Sequence, residues 1–282
     1  MRKFSWASLL FLSITTSSAY GLKKELPVVF KDGFYSAISF GVNWANANWS
    51  GTSSISLVDD IHDPNALFQS WTPHGKTHDG GKALGSVALG YQVVDARLYL
   101  GGQISYSLRG RQHFRLDETR TFSQVSPLGL PPPSTVSGSA HLQSKVSLSC
   151  NEFDIDLKPG VLILKNFVAY VRVGVAFTQL KIKNDGAQLE MNSENGLVIK
   201  ALDSGHKTQN KTGFRIGAGT EYLITQHLGI SLDYIYSYYG KIKVRSESQN
   251  DGPFDFNHVY GVFAPEVTVT SQTLAAGIVV HF

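Results

Sequence analysis

From Thr273 to the terminal Phe282 the chain alternates strictly. Leu274, Ala276, Ile278, Val280 and Phe282 fall on one face, and Thr273, Ala275, Gly277, Val279 and His281 on the other. This period of two is that of a strand whose sides meet different surroundings. Seven earlier segments behave alike, at about 33–44, 82–93, 97–109, 145–163, 168–181, 213–224 and 228–244. In each, one face is rich in Leu, Val, Ile and Phe, with Trp or Tyr near several ends. The other face is small or polar and carries charge, as where Ile230, Leu232, Tyr234 and Tyr236 alternate with Ser231, Asp233 and Ser237. The alternating runs are about as long as the roughly nine to eleven residues that a tilted strand needs to cross a bilayer.

A soluble β-sandwich alternates too, with its apolar face turned inward. The amino terminus separates the two readings. Arg2 and Lys3 precede a mostly apolar stretch from Phe4 to Ile14, and Ser17-Ser18-Ala19 supplies small residues for cleavage. That stretch is too short to span a membrane as a helix and has the layout of an export signal. Residues 1–19 are therefore read as a signal peptide and 20–282 as one domain, opening with a short periplasmic lead-in at 20–31. No cysteine follows the cleavage site, which argues against a lipid anchor. With Cys150 as the single cysteine, no internal disulfide can form and a closed sheet must hold the exported chain together.

The connections sort into two kinds in strict alternation. Those at 94–96, 164–167 and 225–227 are tight, whereas 45–81, 110–144, 183–212 and 245–266 are long and hold most of the Pro, Asn, Asp, Ser and Gly. Leu130-Pro131-Pro132-Pro133-Ser134 is stiff and donates few ladder hydrogen bonds, and Asn250-Asp251-Gly252-Pro253 is a turn signal. The reading is an all-β fold: an eight-stranded antiparallel up-and-down transmembrane β-barrel with short periplasmic turns and four long extracellular loops, in the outer membrane of a Gram-negative bacterium. Part of a long loop, such as 135–143, is a candidate strand extension or extra hairpin.

In strand order, loop alternation and its C-terminal strand the chain resembles the small outer-membrane β-barrels, namely the transmembrane domain of OmpA-like proteins and the opacity-type surface proteins. The resemblance implies that Leu274, Ile278, Val280 and Phe282 form the signal read by the barrel-assembly machinery. It also implies contact of the long loops with a host or other external ligand. The peptidoglycan-binding domain of full OmpA-like proteins has no counterpart here.

Charge and candidate chemistry refine the picture. A net charge of +3, two units of which come from the signal peptide, gives no argument for nucleic acid as a partner. The register places Asp156, Lys158, Arg172, Arg215, Glu221 and Asp233 in a lumen just wide enough for side chains. There they form a structural charge network, with a gated ion path as the sharper alternative. Arg172 and Glu221, both a few residues above a short turn, are candidate partners, as are Asp156 and Asp233 for the arginines. Arg109, Arg111, Arg115 and Arg120, with His113, Lys145, Asp117 and Glu118, make a basic collar suited to lipopolysaccharide phosphates or an anionic glycan. Tyr238, Tyr239 and Tyr260 suit the aromatic belt.

Nine histidines are present, and His62, His74 and His78 share the first loop with several aspartates. Pro73, Gly75, Gly80 and Gly81 oppose the helix that the His74–His78 spacing would need for a metal, so these read as solvated loop residues and no metal or cofactor is expected. Ser144 and His141, with Glu152 or Asp154 as the acid, would suit hydrolysis, but no motif surrounds them. The expectation is a structural or surface-interaction protein without catalysis. A small-solute porin and a lipid-modifying enzyme are the alternatives.

Overall fold

The computed structural model describes residues 28–59, 63–72, 74–125, 135–192, 198–199, 206–243, 246–251 and 258–282. The signal peptide, the three prolines at 131–133 and His62 lie outside the described residues, as does the Gly252-Pro253 end of the turn signal. Among the described residues every regular element is a strand. In chain order they are β1 (Gly33–Asp59), β2 (Asp63–Trp71), β3 (His74–Asp95), β4 (Leu98–Arg109), β5 (Gln112–Val125) and β6 (Thr135–Leu164). β7 (Phe167–Asn192), β8 (Val198–Ile199), β9 (His206–Leu223), β10 (Leu228–Lys243), β11 (Ser246–Asp251) and β12 (His258–His281) follow.

Eight of these close a ring in the order β12-β10-β9-β7-β6-β4-β3-β1, and β1 pairs back onto β12. The closing seam is long and antiparallel, from Tyr35 opposite His281 to Val58 opposite His258. Closure leaves no unpaired edge within the membrane, where no water is present to satisfy one. The remaining strands each belong to an outer connection: β2 pairs β1, β5 pairs β6, β8 pairs β7 and β11 pairs β12.

The strands outrun the alternating segments seen in the sequence. β1, β6, β7 and β12 are 27, 30, 26 and 24 residues long. Alternation marks only the part of a strand that separates lipid from a polar lumen. Above the headgroups the outer face meets water, the contrast fades, and the ladder hydrogen bonds continue without it. The stretch at 135–143 is indeed extended in this way, since β5 and β6 pair from Gln112 opposite Leu148 up to Val125 opposite Thr135.

Orientation follows the lipid-facing assignment. Phe40, Leu100, Leu232 and Phe282 are exposed on the outer wall, Phe40 by 70% and Phe282 by 76% of their surface. A monomer in water would not expose so continuous an apolar band. Trp44 and Tyr234, Tyr236 and Tyr238 sit toward its upper rim, with Phe34, Tyr91 and Tyr222 toward the lower. Leu274, Ile278 and Phe282 of the C-terminal strand also face outward.

The lead-in is more than a connector. Phe30 N–H donates to Lys165 O at 3.2 Å, Gln92 Nε2 donates to Lys31 O at 2.8 Å, and Val94 N–H donates to Asp32 Oδ1 at 2.6 Å. These bonds tie residues 30–32 across the periplasmic mouth and drive the Phe30 ring up into it. A lipid-facing site near mid-height tests the orientation. Leu232→Arg is expected to destabilise the barrel by about 2–4 kcal/mol in a denaturant titration of folding into vesicles, the cost of a cation at the bilayer midplane.

Candidate functional site

Inward residues of the eight ring strands, with Phe30 of the lead-in and Phe114 of β5, fill the lumen in three levels. At the periplasmic end Phe30 packs with Tyr99, Val168, Tyr170 and Leu223. Phe30 meets Tyr99 and His281 edge-on, at ring separations of 6.1 and 5.9 Å. His281 Nε2 in turn donates to Glu221 Oε1 at 2.7 Å.

Above this lies the charged level. Lys158 sits between two aromatic faces, its Nζ 5.2 Å from the Tyr35 ring and 5.0 Å from that of Tyr170. Such contact stabilises a desolvated ammonium that, among the described residues, has no carboxylate in direct contact. Tyr170 donates its hydroxyl to Asp233 at 3.0 Å. Arg172 binds Asp156 through Nε at 2.8 Å and Nη2 at 2.5 Å, and its Nη1 lies 3.7 Å from Asp233. Arg215 pairs with Asp154 and lies within 3.9 Å of both Glu152 and Asp156. At the top of this level Arg109 donates to Glu152 and Tyr239, both at 2.9 Å, while the Tyr239 hydroxyl donates to Glu152 at 2.5 Å.

All six residues assigned to the lumen are buried there, but one proposed pairing is wrong. Glu221 lies opposite Val168 and Arg172 opposite Gly217, so the two sit at different heights. Glu221 turns to His281 and Arg172 to Asp156 and Asp233. Two side chains assigned elsewhere also belong inside. Arg109 does not belong to the outer collar: it continues the inward parity of Gln103, Ser105 and Ser107 on β4 and is 4% exposed. Nor does Tyr239 belong to the aromatic belt: it alternates with the outward Tyr238 and is fully buried. Parity is the feature of the sequence that marks both as inward.

The third level has no counterpart in the sequence reading. Ala45, Ala47, Trp49, Phe114, Val146, Leu148, Ala176, Leu180, Tyr239, Ile242, Val267 and Val269 form one buried cluster. Its members come from β1, β5, β6, β7, β10 and β12, just above the charged level. The extended strands thus enclose a dry core over the network. Within the charged level the remaining void is about 30 Å³, roughly the room that one or two waters need.

Other candidates are placed apart. Arg111 and Arg115 are exposed on the outer wall with His113 and Lys145, whereas the Arg120 side chain lies outside the described residues. Burial, reinforced by Lys145 and Arg111, holds His113 below its ordinary pKa. His74 and His78 are exposed on β3, and His78 Nδ1 contacts Asn46 Oδ1. His141 and Ser144 lie outside the described side chains. Glu152 and Asp154 point into the lumen at least eight residues along β6 from Ser144, about 26 Å of extended strand, so neither carboxylate serves as its acid.

Residues 7–282 match the model of the outer membrane protein beta-barrel domain. The chain belongs to this outer-membrane β-barrel family. No curated protein matches its sequence. Among solved structures it is similar to the attachment invasion locus protein Ail of Yersinia pestis, with 14% identity, 88% of this chain and 99% of that one covered, and a TM-score of 0.34. It is also similar to the outer membrane protease OmpT of Escherichia coli (11% identity, 92% and 99% covered, TM-score 0.37). A third is Neisserial surface protein A (14% identity, 85% and 97% covered, TM-score 0.29). Likenesses of this size say nothing of activity. Family membership places the barrel in the outer membrane among its lipids.

Two measurements test this description. Arg172→Met strands Asp156 in a dry lumen and is expected to cost about 3–5 kcal/mol, most of it recovered when Asp156→Leu is added; folding titrations of the two variants in vesicles read the difference. Lys145→Gln is expected to raise the His113 pKa toward its ordinary value, because a repelling cation is removed, and NMR titration of the imidazole reads the shift.

Proposed function

We propose that this family member is a closed surface protein that neither conducts solutes nor catalyses a reaction, and that it meets an external partner through its outer loops. The lumen supports the first part. Aromatic residues occupy the periplasmic mouth, paired charges occupy the middle, and an apolar cluster caps them. A solute path would have to break all three levels, and desolvating a permeant ion across the apolar cap alone is costly. The paired β5–β6 extension supports the second part. It carries the loop at 110–144 well beyond the membrane on a rigid ladder, and loops on rigid scaffolds are where binding residues concentrate.

In planar bilayers the protein is expected to give no stable conductance steps. Deleting residues 28–32 is expected to leave it silent, because two levels remain above Phe30. Reproducible steps in the unaltered protein would sink the closed reading. Exchange of residues 110–144 for a short turn is expected to abolish binding of whole cells to matrix or host surfaces while heat-modifiable gel mobility persists; unchanged binding would remove the loop as the contact surface.

A further inference from the structure

We infer that the extramembrane half of the barrel is a hinged lid of two sheets. It parts along two seams and lets outside water reach the top of the ion-pair network, while the ring below stays closed. The seams are where the ring loses its ladder. The β3–β4 ladder ends with Leu84 opposite Arg109, followed by one bond from Gly110 N–H to Ala83 O at 3.0 Å. β5 then takes the place of β4 beside β6, and among the described residues its ladder is with β6 alone. On the far side the β9–β10 ladder ends with Phe214 opposite Tyr238, although β9 reaches up to His206 and β10 to Lys243.

Above these points two sheets remain. In one, β10, β12, β1 and β3 pair in turn, up to Lys243 opposite Glu266, Val58 opposite His258 and Ser50 opposite His74. In the other, β5, β6, β7 and β9 pair up to Val125 opposite Thr135, Ser137 opposite Asn192 and Lys183 opposite His206. The apolar cap lies between them. Trp49, Ile242 and Val267 come from the first sheet, and Phe114, Val146 and Leu180 from the second. The cap is thus the core of a small β-sandwich, whose sheets are joined by side-chain contact rather than by a shared ladder.

The base of this sandwich is built as a hinge. The ladders shift register there between Asn43 and Ala45 of β1, between Leu148 and Glu152 of β6, and between Tyr238 and Lys241 of β10. Such irregularities bend a strand and interrupt its pairing, and a hinge needs only a few residues that absorb the change. Buried bonds anchor the base: Gln112 Nε2 donates to Asn43 O at 3.0 Å, and Tyr239 donates to Glu152 at 2.5 Å. Higher up, the seams carry exposed latches. His113 N–H donates to Asp79 Oδ2 at 3.0 Å between β5 and β3, and Lys211 Nζ donates to Lys241 O at 2.8 Å between β9 and β10. A unit joined so differently from the ring beneath it opens as a cooperative piece of its own.

The test uses the full barrel folded into vesicles with Cys150→Ser, and reads the rate at which a water-soluble maleimide added outside labels one new cysteine. Val146→Cys reports the cap and Ala275→Cys the lumen below it, both at buried positions. Removing either latch, by Asp79→Ala or Lys211→Met, is expected to raise Val146→Cys labelling about fivefold, what one hydrogen bond is worth. The two together are expected to raise it roughly twentyfold to thirtyfold, since the seams lie on opposite sides of the sandwich. Ala275→Cys is expected to label slowly whether or not the latches are present. Gln179→Ala is expected to change neither rate, because Gln179 bonds Asn210 within one sheet, at 3.0 Å. If Val146→Cys does not refold, as judged by heat-modifiable mobility, Ala47→Cys reads the cap from the other sheet. Equal labelling of cap and lumen, the mark of a barrel that opens only as a whole, overturns the lid. So does a cap rate that ignores both latches. Neither conductance nor cell binding enters this readout, so the lid and the closed surface protein fall separately.

Discussion

An eight-stranded barrel is too narrow to hold a column of water. Every side chain that alternation sends inward must therefore find its partners among the others, and buried charges that fail to do so cost several kcal/mol each. The ion pairs of Arg109, Arg172 and Arg215 with Glu152, Asp154, Asp156 and Asp233 meet that constraint. Each carboxylate at the centre touches arginines from a different strand, so the network ties β4, β6, β7, β9 and β10 together across the lumen.

Such side chains need space as well as partners. On β7 the position that a Cβ at Gly174 would occupy is filled by Asp156 and the adjoining backbone, and at Gly219 on β9 by Asp233 and Tyr170. Any larger residue at either place would displace a member of the network. Glycine here supplies room for close approach rather than a special backbone conformation. Gly240 is different. Its φ of +73° accompanies a register shift between Tyr238 and Lys241, and the shift reverses the parity beyond the inward Tyr239, so that Ile242 also turns inward. One residue of irregular backbone thus adds Ile242 to the apolar cap beside Tyr239.

The same economy appears on the outer wall. The β6–β7 ladder bulges at Ser149, Cys150 and Asn151, where the Ser149 and Asn151 carbonyls accept from Arg109 and Thr178 and a groove opens outside. A lumen residue and a lipid-facing surface are thereby mechanically joined. Strands that continue past the membrane make both possible, since the extensions of β6 and β7 carry the dry core on one face and the exposed Lys145 and Lys181 on the other.

Much of this was written in the chain. Lipid on one side and a polar lumen on the other impose a period of two, so parity marked the eight ring strands, and the export signal decided that their charges face inward and the C-terminal aromatic outward. Arg109 and Tyr239 obeyed that parity even where their chemistry suggested otherwise. Three things were not legible: the partner of each charge, the height of the strands above the membrane and the apolar cap. Partnership depends on the stagger between neighbouring strands, which separated Arg172 from Glu221. Beyond the headgroups water bathes the outer wall, so hydropathy no longer reports a strand that backbone hydrogen bonds still hold. The cap draws its residues from six strands, and only closure of the ring brings them together.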